Sequence, residues 1–225
     1  MTLRPYQDDL DQRRRTSTAR RVLVQLPTGA GKSHLIREAV GPRTLVLAHA
    51  EWLIDQLQSL CGGHVLKAGG EWQSWPTIAM VQTAARRDLP TPDTIIVDEA
   101  HHTPGATYSE LLARWPGARV YGFTATPQRL DGLGLGLQFD ELICGPSYQE
   151  LIKQGWLKPF QVLSIPSDVD LSGVRTRAGE FAREDVKHAI RRSRIFGDVV
   201  DHYCEHVRGG HASFWPSIDC AEEAA

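Results

Sequence analysis

A chain of 225 residues is longer than one average domain and shorter than two, so a complete first domain followed by part of a second is the starting expectation. With 41% hydrophobic and 23% charged residues it has the balance of an ordinary globular protein, which excludes a disordered chain, and no apolar run nears the roughly 20 residues of a membrane span. A net charge of −2 makes no whole-chain case for nucleic acid, although a groove needs only local positive charge.

The start, MTLRPYQDD, lacks the apolar core of a signal peptide, so a cytosolic location is expected. Cys61, Cys144, Cys204 and Cys220 are scattered without a CxxC pair and read as free thiols, not as a zinc or disulfide framework.

In chain order, short β-branched runs without internal proline alternate with helical patterns. Strands are expected at Arg21–Leu26, Arg43–His49, Thr77–Val81, Thr94–Val97 and Arg119–Phe123. Helices are expected at Ser33–Val40, after a glycine-rich turn, and at Glu51–Leu60, where Leu53, Leu57 and Leu60 share a face. Repeated strand–helix units of this kind predict an α/β fold with a parallel sheet flanked by helices. After Arg129 the character changes. DGLGLGLQFD, with glycines in alternating positions, reads as loop, and Ser147–Gly155 as a helix. A new strand-like run, FQVLSIP, starts at Phe160, with helices expected at Arg183–Arg192 and Ile195–Val207. The expected division is therefore 1–145 as a nucleotide-binding domain, 146–159 as a linker helix and 160–225 as the beginning of a second domain.

Pro27-Thr28-Gly29-Ala30-Gly31-Lys32-Ser33 lies between a strand and a helix. Glycines there let the backbone approach a phosphate chain, so that successive N–H groups and the helix N-terminus face negative charge. Lys32 is placed to neutralise the outer phosphates of ATP, and Ser33 to help hold Mg²⁺. Leu26 occupies the place where the general phosphate-loop pattern has its first glycine. Further on, TIIV runs into Asp98-Glu99-Ala100-His101, which sets two carboxylates at the C-terminal end of a buried strand, where open α/β sheets bind ligands. Asp98 is a candidate for the Mg²⁺ shell and Glu99 for orienting and deprotonating an attacking water, although such acids can also simply cap the next helix.

With these residues in this order the sequence resembles the superfamily 2 helicases of the DEAD/DEAH-box kind, and in particular a domain similar to the motor subunit of type III restriction enzymes. Leu3–Gln7 (LRPYQ) resembles the adenine-reading motif, which implies Gln7 as a base contact and Tyr6 as a stacking neighbour. QLPTGAGKS resembles motif I. LVLAHAEWLIDQ, carrying His49, resembles motif Ia, and MVQTAAR, carrying Thr83, resembles motif Ib; both line the nucleic-acid track in that family. DEAH is motif II, which implies a role for His101 on the γ-phosphate side, and Thr124-Ala125-Thr126 resembles motif III, which couples nucleotide state to strand binding.

The resemblance implies a RecA-like phosphate-loop NTPase domain using ATP and Mg²⁺, with DNA as partner in preference to RNA. In that family the nucleotide sits between two RecA-like domains, and the second supplies arginine fingers. HASFWPSIDCAEEAA resembles the first strand and helix of that domain, so an incomplete second domain, slow hydrolysis by the chain alone and a partner chain supplying the missing half are expected. Apolar Phe160, Val162, Leu163, Phe214 and Trp215 would then lack sheet partners. A non-catalytic ATP- and DNA-binding module stands as the alternative to a motor.

Overall fold

The computed structural model describes residues 2–103, 105–127, 134–160, 169–177, 180–192, 205 and 218–223. Two compact units are present, Met1–Pro159 and Phe160–Ala225.

The first unit is built on a sheet of seven strands: β1 (Arg21–Gln25), β2 (Thr44–Ala48), β3 (His64–Leu66), β4 (Thr77–Met80), β5 (Thr94–Asp98), β6 (Arg119–Thr124) and β7 (Glu141–Cys144). Their order across the sheet is β3-β4-β2-β5-β6-β1-β7, and every pairing is parallel. Period-two alternation sends side chains to two separate cores. Val22, Val24, Val46, Ile96 and Phe123 face one side, while Leu23, Leu45, Leu47, Ile95 and Val97 face the other.

The first core is covered by α1 (Pro5–Thr16), α2 (Lys32–Ala39), α3 (Glu51–Cys61) and α6 (Tyr148–Lys153); the second by α4 (Val81–Ala85) and α5 (Ala106–Ala113). This is the expected α/β sandwich of a RecA-like domain, and because all strands run the same way, the segments leaving β1, β2, β4, β5 and β6 emerge along one edge.

Strands β3 and β7 and helices α1, α4 and α5 were not expected from the sequence. Strand β3 has three residues at one margin, and in β7, at the other margin, only Ile143 is buried, so neither carries the continuous apolar run of a central strand. Helix α1 buries Tyr6, Gln7, Leu10, Asp11 and Arg14, a face that is mostly polar and shows no apolar period. Pro5 at its first turn and the Gln7 side chain, which accepts from the Arg4 N–H at 2.9 Å, start it. Helix α6 begins at Ser147, whose hydroxyl accepts from the Glu150 N–H, and drives Leu151 into the first core.

In the second unit, Thr176–Arg177 pairs antiparallel with Glu180–Phe181 and is followed by α7 (Arg183–Arg192), the helix expected there; α8 (Ile218–Glu223) lies at the tail of the chain. The strand expected after Phe160, most of the helix expected at 195–207 and the run from His211 to Ser217 fall outside the described residues. Among the described residues no helix is long and apolar enough to cross a membrane.

Candidate nucleotide site

Strand β1 ends beneath a turn held from two sides. The Leu26 N–H donates to the Thr124 carbonyl at 3.0 Å and Gln25 Nε2 to the Ala125 carbonyl at 3.3 Å, which ties the loop to the end of β6. Pro27 is buried, Thr28 and Gly29 are exposed, and Gly29 and Gly31 take φ values of 79° and 85°. Only glycine enters that region cheaply. A Cβ on Gly31 would also stand 2.5 Å from Gln7 Nε2. From α1, Tyr6 Oη and Gln7 Nε2 both donate to the Ala30 carbonyl, at 2.8 and 3.0 Å. The Ala30 N–H donates to the Pro27 carbonyl at 3.2 Å, and α2 then starts at Lys32 with no side-chain cap on its first N–H groups.

Strand β5 delivers Asp98 to the same edge with the residue 8% exposed. Glu99 follows in the left-handed region at φ 50°, the one such non-glycine among the described residues, and its N–H donates to Asp98 Oδ1 at 3.0 Å. Backbone strain of this kind is concentrated at functional sites. The Glu99 carboxylate lies 3.8 Å from Lys32 Nζ and 3.4 Å from His101 Nδ1. Burial, and then the charge of Glu99, push the Asp98 carboxyl up to about 6, against the pull of the Glu99 N–H and Lys32. The pocket thus carries more negative charge than Lys32 neutralises.

Such an electrostatic deficit fits a divalent cation. Among the described residues no cluster of three or more His, Cys, Asp or Glu forms a cage for one. Mg²⁺ in general keeps several waters and takes one or two protein oxygens plus phosphate oxygens.

Beyond Glu99 a 3₁₀ turn, Ala100–His102, presents two imidazoles. His101 Nδ1 lies 3.0 Å from Thr124 Oγ1. That hydroxyl donates to the Thr126 carbonyl at 2.9 Å and accepts from the Thr126 N–H at 3.1 Å. Its one hydrogen being committed, Thr124 can only accept from His101, so Nδ1 carries the imidazole proton. Burial, followed by the neighbouring His102, lowers the His101 pKa, with Glu99 opposing. His102 is exposed, yet its ring lies 4.2 Å from that of His101 and 4.5 Å from that of His49, at the end of β2. Three histidines therefore form a stack from the end of β2 to Glu99. His49 is lowered by burial first, and its Nδ1 is buried without a partner.

Lys32, Asp98, Glu99, His101, Thr124 and Thr126 are thus brought together, with His49 at the margin. Thr83 lies elsewhere, in α4 just after β4, where with Gly69, Arg86 and Arg87 it lines a hollow of about 340 Å³. Gln7, expected as a base contact, is 2% exposed and engaged with the loop and with Arg4.

The family model described as "Type III restriction enzyme, res subunit" matches residues 76–129, from β4 through the acidic strand end to just past Thr126, without reaching the phosphate loop. The "51.5 kDa protein" of a Lactococcus phage (isolate 7-9) is 33% identical over 212 residues, covering 90% of this chain and 45% of that protein. A Saccharomyces cerevisiae protein, "Putative ATP-dependent helicase IRC3", is 32% identical over 136 residues, covering 56% of this chain and 20% of that protein. The crystal structure of the UvsW helicase from bacteriophage T4 superposes with a TM-score of 0.51 at 18% identity, covering 64% of this chain and 60% of that one.

The chain shares the RecA-like fold of that structure.

The chain spans less than half the length of either curated relative, so it is matched to only part of each. Gln25 and His102 join the site without having been singled out. Gln25 carried no signal beyond being the polar residue that ends an apolar strand. For His102, the adjacent His101 was the only clue, because its stacking depends on β2 lying next to β5.

Proposed function

We propose that this chain is the nucleotide-binding half of an ATP-dependent motor that acts on DNA. The observation that carries the reading is the convergence of Lys32 with Glu99 at 3.8 Å, beside a buried Asp98, at the strand edge where a phosphate loop opens. The N–H groups of Gly29, Gly31, Lys32 and Ser33 face the phosphates, that of Ala30 being taken by the Pro27 carbonyl, and Lys32 neutralises the outer two. Ser33 and Asp98 would hold Mg²⁺, which would supply charge neutralisation for the phosphates. Glu99 orients the attacking water and takes its proton. His101, with its proton fixed toward Thr124, links the γ-phosphate side to the Thr124–Thr126 turn. Tyr6 and Gln7 brace the loop from the side where the base is bound.

His49, Thr83, Thr124 and Thr126 lie along one sheet edge and are assigned to the nucleic-acid track, with Arg86 and Arg87 near Thr83 supplying local positive charge. DNA is favoured over RNA because the matching family is a restriction-enzyme subunit. Contacts of this kind go to the sugar–phosphate backbone and carry no base sequence. Residues 1–145 form the nucleotide domain in this reading, 146–159 lead out of it, and 160–225 begin a second RecA-like domain.

The test is ATP hydrolysis by the full chain with Mg²⁺ in the presence of duplex DNA, single-stranded DNA or RNA, with Glu99→Gln as control. DNA-stimulated turnover that disappears in Glu99→Gln is expected. ATP binding without turnover under every condition would favour a non-catalytic module, and turnover that survives Glu99→Gln would remove the assigned base.

A further inference from the structure

Helix α6 ends in a left-handed turn. Gly155 has φ 75°, its N–H donates to the Ile152 carbonyl at 3.0 Å, and the Trp156 N–H reaches back to the Leu151 carbonyl at 2.9 Å. Leu151 is fully buried, so the turn is fixed to the core, and it aims the next two side chains toward the phosphate loop. A Leu157 methyl would lie 3.4 Å from a Cβ placed on Gly29. The Trp156 ring lies 6.1 Å from that of Tyr6, edge to face, and Tyr6 holds the Ala30 carbonyl. The Arg4 guanidinium lies over the indole at 5.1 Å, and its Nη1 donates to Tyr6 Oη at 3.1 Å. Despite these contacts Trp156 keeps 39% of its surface exposed. A large aromatic left open beside a phosphate loop, with a cation across its face, has the makings of a stacking site.

We propose that Trp156 provides the stacking face for the purine base of the nucleotide held by the phosphate loop, with the Arg4 guanidinium closing the opposite side. The inference rests on the nucleotide reading above and adds to it a residue from the far end of the same unit. A base between two faces needs about 7 Å, twice a ~3.5 Å contact, so Arg4 swings outward by about 2 Å to admit it. Gln7 is almost wholly buried and already engaged, so the open surface that a base can meet belongs to Trp156. Stacking is tolerant of base identity, and Trp156 therefore sets purine affinity without choosing between purines.

The test compares binding of ATP, GTP and inorganic tripolyphosphate, each with Mg²⁺, to the full chain and to Trp156→Ala, Trp156→Phe and Arg4→Ala. In Trp156→Ala the Kd for ATP and for GTP should rise roughly tenfold or more. Tripolyphosphate binding should not change, Trp156→Phe should retain most of the affinity, and ATP should quench indole fluorescence in the unaltered chain but not in Trp156→Phe. An unchanged ATP Kd in Trp156→Ala, or an equal loss for tripolyphosphate, would overturn the stacking role while leaving the phosphate loop intact. Failure of the unaltered chain to bind either ATP or tripolyphosphate would instead remove the nucleotide reading, and this inference with it.

Discussion

Lys32 Nζ and Glu99 Oε1 stand 3.8 Å apart, the first at the start of α2 and the second just past β5, with β6 between the two strands. The lysine is placed for phosphate charge and the carboxylate for the water that attacks it, so their removal should have separable effects. Lys32→Ala should raise the Kd for ATP about tenfold or more with the melting temperature little changed. Glu99→Gln should keep ATP affinity while lowering hydrolysis by roughly 10²- to 10⁴-fold. Calorimetric titration and single-turnover hydrolysis would check the pair, and equal losses of binding in both variants would contradict the division of labour.

Gly31 should tolerate no side chain. Its φ of 85° strains any L-residue, and a new Cβ would press on Gln7 Nε2 at 2.5 Å, whereas at Gly29 the nearest atom would be a Leu157 methyl at 3.4 Å. Gly31→Ala is expected to lower stability by about 1–3 kcal/mol and to weaken ATP binding, with Gly29→Ala milder in both. Denaturant titration of the two variants would show the order, and an equal cost would argue against the Gln7 contact.

The pH dependence of stability should carry the signature of Asp98. Its carboxyl is raised from 3.8 to about 6 in the folded chain, so between those values the folded state binds the extra proton. Stability from this group is fullest below about pH 4, declines as pH rises through about 6 and stays reduced above it, a cost on the order of 2–3 kcal/mol. Asp98→Asn should therefore melt higher than the unaltered chain at about pH 8 and lose that advantage by about pH 4. Mg²⁺ should raise the melting temperature at about pH 8 in the unaltered chain but not in Asp98→Asn. Parallel melting curves for the two proteins across this range would refute the account.

Asp11 holds α1 in place. Its carboxylate lies 2.6 Å from Arg14 Nη2 with both side chains 6% exposed, its other oxygen takes Arg15, and the Arg14 guanidinium sits 4.6 Å over the ring of Tyr121. Asp11→Ala leaves a buried arginine without its carboxylate and should cost about 3–5 kcal/mol. Since α1 also supplies Tyr6 and Gln7 to the loop, ATP affinity should fall with it. Thermal melts combined with binding would show whether the two losses travel together.

Thr124 should be replaceable only by a residue that keeps its hydroxyl. Thr124→Ser preserves the group that accepts from His101 and from the Thr126 N–H, and Thr124→Val removes it. Val should lower DNA-stimulated hydrolysis by roughly tenfold or more with basal ATP affinity retained. A valine variant stimulated as fully as the serine variant would show that the contact plays no part in coupling.

The fold class and the two poles of the site were legible in the sequence because their signals are local. β-branched runs without proline mark central strands, and a glycine pair before Lys-Ser marks a loop that needs positive φ; both properties are carried by a few neighbouring residues. Two acids at the tip of an apolar run are equally self-contained. Strand order is not local, and only the tertiary structure set β6 between β1 and β5, which brings Glu99 to Lys32 and Thr124 to His101, and laid β2 beside β5 to stack His49 on His102. Packing alone could also show that the polar face of α1 is an interior one, its Gln7 and Asp11 satisfied by partners, and that Trp156 returns from the end of the unit to the loop near its beginning. A polar residue is buried where folding supplies its hydrogen-bond or charge partners, and those partners are distant in sequence, so no local pattern announces them.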